Sequence, residues 1–564
     1  MTRFVSKFIG PMAASRRSVY KGAGYTDADM AKPHIGIANA FSEVSPAHIH
    51  LRQLAENVKA GIWAAGGVPH EFGVFSTCGN VVLGAGPINY ELLIRDVLAA
   101  SVEIMTMGHV LDGLVLMASC DSIIPGLLMG AARVNVPSIM VVGGPMLAET
   151  YKGQPLTLSD VNRAAFGQYP MGEISEQEIC EMEEDACPSI GACPLMGTAN
   201  TMQILTEAMG MCLTGSAVVP PVLSRKWRQA TEAGRRVVQM VHDGLRPSDI
   251  LDERTLHNAV VVNLAIGGST NAPMHIMSIA REVGIEVKLD LFDELSRKTP
   301  VLASVIPNGP HTVVDFYRSG GVPALLKELG VLIDGTARTV DGGTVGDNLV
   351  RVSGTVGPAI HPLQKPVMQE GGLAVLKGNL APHGSIVRTS SIKRNMLVHR
   401  GPARVFDSDA EGVEAIRAGK VMPGDIIVLR YEGPKGSPGM AEVMLCTDTL
   451  VSVGMHESVS LITDGRFSGF NRGPIIGHVA PEAAEGGPIA VLRDGDIIVI
   501  DIPNRQLNVE LSEQDMAERL ASWRAPEPKA RRGIRAIYAE TTLPADQGAA
   551  MQRWPTEVAR KGLD

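Results

Sequence analysis

Short apolar runs alternate with helical stretches along the first 150 or so residues, and this alternation restricts the possible folds more than any other feature of the chain. A helix is predicted from Ser45-Pro46 to about Ala65, where Gly66-Gly67 ends it. We predict strands at 34–40, 71–77, 111–119 and 138–146. Such strand–helix–strand repeats form a parallel sheet with helices on both faces, so the fold class is α/β.

The sequence pattern changes at about residue 350, where short β-type runs begin to alternate with Gly, Pro and Asp. Runs of this kind, such as DIIVLRYEG and PIAVLRDGDIIVIDIP, are typical of strands joined by turns. A chain of 564 residues is too long for one compact core. We therefore predict an N-terminal α/β domain over 1–352 and a C-terminal β-rich, barrel-like domain over 353–564.

The charge and hydropathy of the chain exclude several classes of protein. The net charge is −9 and there is no long basic run, which argues against binding to nucleic acid or to an anionic membrane. No apolar stretch reaches the roughly 18–20 residues that span a bilayer, and the N-terminus lacks a signal-peptide core. We expect a cytoplasmic protein that acts on a small molecule.

The cysteines are the residues most indicative of chemistry. The chain holds seven, at positions 78, 120, 180, 187, 193, 212 and 446. An odd number in a long chain argues against a disulfide framework. We expect Cys180, Cys212 and Cys446 to be small apolar residues buried in the core.

Three of the cysteines are expected to share one cleft. Cys78 and Cys120 each follow a predicted strand, and ligands of a parallel sheet bind beyond the carboxyl ends of its strands. Cys193 lies in a Gly/Pro loop just before a predicted helix. Three thiolates are enough to hold a 4Fe-4S cluster and to leave one iron open as a Lewis acid.

Eight segments in order along the chain resemble the dihydroxy-acid dehydratase and phosphogluconate dehydratase family. They include CDSIIPGLLMGAARVNVPSIMVVGGPM, GACPLMGTANTM, GGSTNAPMH and ITDGRFSGFNRGPIIGHVAPEAAEGGPIA. The resemblance implies an α/β domain followed by a barrel-like domain, an iron–sulfur cluster, and a homodimer or homotetramer. It also implies that the chain removes water from a 2,3-dihydroxy acid to give a 2-keto acid.

The resemblance assigns the cluster ligands residue by residue. Cys120 and Cys193 match two of them, whereas the cysteine that serves 2Fe-2S members is replaced here by Ala47. Cys78 matches the third ligand of the phosphogluconate members, so the pattern favours a 4Fe-4S over a 2Fe-2S cluster. Cys187, close to Cys193 in sequence, is the alternative third ligand.

The magnesium site that the resemblance implies is incomplete in this chain. Asp121 and Glu442 match two of its ligands, but Gly79 and Ser122 stand where the family has an Asp and a carbamylated Lys. Because Mg²⁺ requires near-octahedral oxygen coordination, we expect binding at Asp121 and Glu442 to be weak or absent. The alternatives are a helix N-cap for Asp121 and a solvated loop carboxylate for Glu442.

The proton acceptor that the resemblance implies is Ser468, in the segment TDGRFSGFNRG. A serine acts as a base only when a nearby cation favours its alkoxide. Arg466 and Arg472 are near enough in sequence to do this, or to bind a substrate carboxylate. The structural alternative for Ser468 is an ordinary hydroxyl in a Gly-rich turn.

We therefore expect an iron–sulfur hydro-lyase that dehydrates a 2,3-dihydroxy carboxylic acid. An alternative within the same class is a dehydratase of sugar acids, such as aldonates. An alternative from another class is a non-catalytic paralogue that binds a small acid, because two of the magnesium ligands are missing.

Overall fold

The computed structural model describes residues 7–82, 88–352, 356–467 and 471–551. Its N-terminal part contains a parallel sheet with the strand order β2-β1-β3-β4. The strands are β1 (His34–Asn39), β2 (Val68–Gly73), β3 (Gly113–Ala118) and β4 (Ser138–Val142). Every residue of β1, β3 and β4 is buried, as expected for a sheet with helices on both faces. The predicted parallel α/β sheet is confirmed.

Two helices that follow β2 and β3 pack closely enough to determine the geometry of the site. They are Tyr90–His109 and Ile123–Val134. A Cβ atom at Gly126 would lie 2.5 Å from the carbonyl oxygen of Arg95, so only glycine permits this approach. The contact brings the first turn of one helix next to the turn at 120–122 that begins the other.

The remaining helices cover the sheet and fill the region before the second sheet. Those of the N-terminal part are Ala14–Gly22, Leu51–Ala64, Gly79–Val82, Leu158–Arg163, Glu176–Asp185, Thr198–Ala208, Ser224–Asp243, Pro247–Ile250, Glu253–Ala265, Ala272–Glu282, Leu289–Ser296, Val313–Arg318, Gly321–Leu329 and Val345–Leu349. A short antiparallel pair lies between β4 and these helices, formed by β5 (Glu149–Tyr151) and β6 (Gln154–Leu156).

The C-terminal part is built on an eight-stranded mixed sheet with the order β14-β13-β9-β10-β11-β12-β8-β7. Its strands are β7 (Leu373–Leu376), β8 (Gly384–Arg388), β9 (Val398–Phe406), β10 (Ile426–Leu429), β11 (Ser460–Thr463), β12 (Ile475–Ala480), β13 (Ile497–Asp501) and β14 (Gln506–Val509). Lys377, just beyond β7, exchanges backbone hydrogen bonds of 2.9–3.0 Å with Leu507 and Arg505 near β14. The two edges therefore meet, and the barrel-like expectation is confirmed. The helices here are Asp409–Arg417, Met444–Ser452, Glu513–Ser522 and Gly533–Thr541.

Three predicted boundaries are wrong, one of them being that of the strand expected over 138–146, which ends at Val142. The helix expected to begin at Ser45-Pro46 begins at Leu51, because the residues before it form turns in which the Ser45 hydroxyl accepts the Ala47 N–H. The strand expected over 71–77 ends at Gly73, since its pairing partner β1 ends at Asn39, opposite Gly73. The domain boundary at 352/353 adjoins residues outside the described ranges and stays a prediction. Within those ranges, every helix is too short or too polar to cross a membrane.

Candidate active site

One cavity of about 80 Å³ brings most of the predicted site residues together. Cys78, Cys120 and Cys193 line it together with Asp121 and Glu442. The cavity lies beyond the carboxyl ends of β2 and β3 and is bounded by the start of helix Thr198–Ala208. This is the edge of a parallel sheet where ligands are expected to bind.

The three cysteines reach the cavity from loops rather than from strands. Cys120 follows β3 closely, whereas Cys78 lies in the loop between β2 and the short helix Gly79–Val82. The side-chain amide of Asn80 lies 4.0 Å from the Cys193 sulfur, within the range of a weak hydrogen bond to sulfur. The side-chain amide of Asn162 in turn donates to Oδ1 of Asn80 at 3.1 Å, and this bond fixes the orientation of the Asn80 side-chain amide.

Burial makes these thiols hard to ionise. It raises the pKa of Cys120 and of Cys193 above the ordinary thiol value, and the neighbouring Cys78 raises both further. Thiolates are stable in such a place when a cation compensates their charge, and iron is a cation that thiolates bind well. The three residues therefore fit an iron–sulfur cluster.

The other cysteines have different surroundings. Cys187 is half-buried, and burial, with a smaller effect of Cys78, raises the pKa of its thiol, but Cys187 does not line the cavity. Cys212 and Cys446 are buried as expected. Cys180 is exposed, so the expectation of burial was wrong; it lies on helix Glu176–Asp185, whose only buried residues are Ile179 and Met182.

The second half of the cavity is a group of three carboxylates. One oxygen each of Glu91, Asp121 and Glu442 lies within 4.8 Å of the other two. Asp121 is not a helix cap, because Ser122 holds the N-cap position of helix Ile123–Val134. Glu442 is not a solvated loop carboxylate, since only 8% of its side chain is exposed.

Arg466 joins this group from the C-terminal part of the chain. Its side chain is fully buried and forms ion pairs with Glu91 and, at 2.9 Å, with Glu442. Its Nε donates to the Met440 carbonyl oxygen at 2.7 Å. These donors are engaged by protein acceptors rather than directed at a substrate carboxylate. Arg472, the other predicted candidate, is exposed.

Buried polar side chains surround the carboxylates. Asn271 donates to Glu442 at 2.8 Å. His275 Nδ1 lies 3.3 Å from a guanidinium nitrogen of Arg95, which can only donate, so Nδ1 accepts and Nε2 carries the proton. That Nε2 faces the Oδ1 atom of Asp121 at 3.6 Å.

The electrostatic balance of the group favours the uptake of positive charge. Burial and the neighbouring carboxylates raise the pKa of Asp121, and burial also raises that of Glu442. Arg466 opposes both shifts but supplies only one positive charge to three carboxylates. Two protons or one divalent metal cation would make up the difference.

Ser468 lies outside the described residues, so its role stays a prediction. Sequence reasoning missed Glu91, which belongs to helix Tyr90–His109. Helical spacing places Glu91 and Arg95 on the same side as Leu98 and Val102, all of them buried. Two charged residues on an otherwise apolar helix face are the signal in the sequence that could have identified Glu91 as a functional residue.

Two family models match consecutive regions of the chain, and each region contains one of the two large sheets. Residues 32–348 match the model of the N-terminal domain of dihydroxy-acid/6-phosphogluconate dehydratases. Residues 358–549 match the model of the C-terminal domain of the same enzymes. Together the two matches span most of the chain.

Relatives of known name are similar over nearly the full length. A dihydroxy-acid dehydratase of Methanothermobacter thermautotrophicus is 48% identical over 544 residues, which cover 96% of this chain and 98% of the relative. That of Acetivibrio thermocellus is 46% identical, with 96% and 98% covered. That of Ignicoccus hospitalis is 45% identical, with 97% and 99% covered.

Proposed function

Because the chain belongs to the dihydroxy-acid/6-phosphogluconate dehydratase family, we propose that it is a hydro-lyase that converts a 2,3-dihydroxy carboxylic acid to the 2-keto acid. The observation that carries the proposal is the single cavity in which three cysteines face three carboxylates. Soft ligands for iron and hard oxygen ligands lie side by side there. This combination suits an elimination in which a hydroxide and a proton leave adjacent carbons.

Cys78, Cys120 and Cys193 would hold a 4Fe-4S cluster, with Cys187 as the alternative third ligand. An iron without a protein ligand would supply a Lewis acid for the C3 hydroxyl, which otherwise leaves poorly. The role of the chain is to hold this cluster at the end of β3, next to Asp121. Asn80 would shield the Cys193 sulfur and donate to it.

Ser468 Oγ is the proposed acceptor of the C2 proton. The elimination then breaks the C2–H and C3–O bonds, and the resulting enol tautomerises to the 2-keto acid. The alkoxide needs a nearby positive charge, and because Arg466 is already paired with Glu91 and Glu442, a bound cation would have to supply it.

The lining of the cavity favours a small substrate with an apolar end. Ile123, Leu195 and Met444 contribute apolar side chains to this lining. A short branched acid such as 2,3-dihydroxy-isovalerate matches such a lining better than an aldonate does, because an aldonate needs a polar partner for each additional hydroxyl.

The test begins with protein purified without oxygen. Iron and sulfide analysis and the visible spectrum report the cluster, and 2-keto acid formation is then measured with 2,3-dihydroxy-isovalerate and with an aldonate. Turnover of the former is expected. Cys78→Ser should lose the cluster and Cys187→Ser should keep it. A folded protein with neither cluster nor turnover would instead support the non-catalytic paralogue.

A further inference from the structure

We propose that Glu91 is the third carboxylate ligand of a divalent-cation site that it forms with Asp121 and Glu442. Glu91 would replace, from a different helix, the two ligands lost at Gly79 and Ser122. This inference rests on the proposed function for its setting, but it concerns the metal rather than the reaction. It revises the expectation of weak or absent Mg²⁺, which counted only two carboxylates.

The position of Glu91 is the first argument. A Cβ atom built at Gly79 would have the Cγ atom of Glu91, at 3.9 Å, as its nearest neighbour. On its other side, the Ser122 hydroxyl lies 3.4 Å from Glu91 Oε1. The glutamate side chain therefore lies between the two positions where charged ligands are missing, and it supplies one negative charge there.

The orientation of the carboxylates is the second argument. Arg466 binds Oε2 of Glu91 and Oε1 of Glu442, and Asn271 donates to the same Oε1. Oε1 of Glu91 and Oε2 of Glu442 stay outside these bonds. Arg466 thus holds one oxygen of each glutamate and leaves the other for a ligand, as outer-shell partners of metal sites do.

Buried polar atoms without partners are the third argument, and two of them belong to residues outside the three carboxylates. Asp121 Oδ1 and Asn271 Oδ1 are buried acceptors for which the described residues provide no donor within hydrogen-bond distance. His275 is fully buried, and its Nε2 also lacks a hydrogen bond while facing Asp121. Buried polar groups are normally paired, so these atoms suit a site that binds an ion with its water or substrate oxygens.

Charge balance selects the type of ion. Three ionised carboxylates and one guanidinium leave two negative charges, which one divalent cation neutralises. All the available ligand atoms are oxygens, the donors that Mg²⁺ and Mn²⁺ prefer. Three protein ligands leave room on an octahedral ion for water and substrate oxygens.

Mn²⁺ binding to the anaerobic holoenzyme, followed by electron paramagnetic resonance, tests the inference. Glu91→Gln keeps the shape of the side chain and removes its charge. We expect its Mn²⁺ affinity to fall by at least about 100-fold, the upper end of what the loss of an outer-shell partner costs. The visible spectrum of the cluster should not change.

Glu103→Gln is the matched control, because Glu103 lies on the same helix but pairs with Arg133 at the surface. It should bind Mn²⁺ like the unaltered protein. Equal affinity in Glu91→Gln would overturn the inference, and so would an unaltered holoenzyme that binds no Mn²⁺. If Glu91→Gln fails to fold, the anomalous signal of Mn²⁺ in crystals of the unaltered protein decides, since it must lie between the three carboxylates.

Adding Gly79→Asp to Glu91→Gln returns a carboxylate to the same place from the other side. We expect Mn²⁺ affinity to recover, and failure to recover would contradict a role for the charge at this point. The cation site at Glu91 and the proposed dehydratase function can be contradicted independently of each other. Dehydratase turnover without any bound Mn²⁺ overturns only the inference, whereas Mn²⁺ bound through Glu91 without turnover of a dihydroxy acid overturns only the proposed function.

Discussion

The two halves of the cavity are assembled in different ways. The thiol half, made of Cys78, Cys120 and Cys193, comes entirely from the N-terminal part of the chain. The carboxylate half requires both parts, because Glu442 and Arg466 come from the C-terminal part and meet Glu91 there. The proposed cluster ligands therefore all come from one part of the chain, whereas the oxygen site needs residues of both parts.

The largest effect is expected from Cys120→Ser, which should abolish both the cluster absorbance and the turnover. Its carboxylate half should still bind Mn²⁺, because none of the oxygen ligands is altered. Cys180→Ser, a change at an exposed cysteine, is the control and should keep the cluster. A visible spectrum that survives in Cys120→Ser would show that the thiol half has been assigned incorrectly.

Ser468→Ala should lower turnover by about 10²–10⁴-fold, the usual contribution of a general base. Both halves of the site should stay loaded, as judged by the cluster spectrum and by Mn²⁺ binding. Exchange of the substrate C2 hydrogen with solvent should fall in parallel. Nearly full turnover would mean that the base is another residue.

Arg466→Ala tests whether one side chain connects the two parts of the chain. It leaves Glu91 and Glu442 buried without their partner, so we expect the free energy of unfolding to fall by about 3–5 kcal/mol. Arg400→Ala breaks the pair with Glu510, in which both side chains are exposed, and should cost about 0–1 kcal/mol. Urea unfolding of the two variants measures the difference; equal costs would argue against this connecting role.

Glu482 is a buried carboxylate that, unlike Glu91 and Glu442, forms no ion pair with an arginine among the described residues. Burial and the nearby Asp464 raise its pKa to about 8, from an ordinary value of 4.5. Because the folded-state pKa is the higher one, its contribution to stability is complete below about pH 4.5 and is lost as the pH rises through about 8. The slope is at most about 1.4 kcal/mol per pH unit.

Thermal unfolding at a series of pH values checks this prediction. Glu482→Gln should remove that part of the pH dependence and make the stability profile flatter than that of the unaltered protein. Parallel profiles would indicate that Glu482 ionises in the folded protein much as it does in the unfolded chain.

Local patterns were enough to predict the parallel sheet and the placement of Cys120, because apolar runs and strand ends are recorded in short stretches of sequence. The carboxylate half was predicted only in part. Glu91 and Arg466 are 375 positions apart, and no periodicity relates two residues that meet only when the two parts dock. The displaced boundary near Cys78 has a similar cause, since the length of β2 is set by its partner β1.

The close contact of two helices at Gly126 has a consequence for ion selection. The contact sets how closely Glu91 and Asp121 can lie, because a Cβ atom at position 126 would meet the Arg95 carbonyl oxygen at 2.5 Å and push the two helices apart. Mg²⁺ binds oxygen at about 2.0–2.1 Å and Ca²⁺ at about 2.3–2.6 Å, so the closer spacing that glycine permits favours the smaller ion. The preference for the smaller ion would then reside in a residue that touches neither the ion nor the substrate.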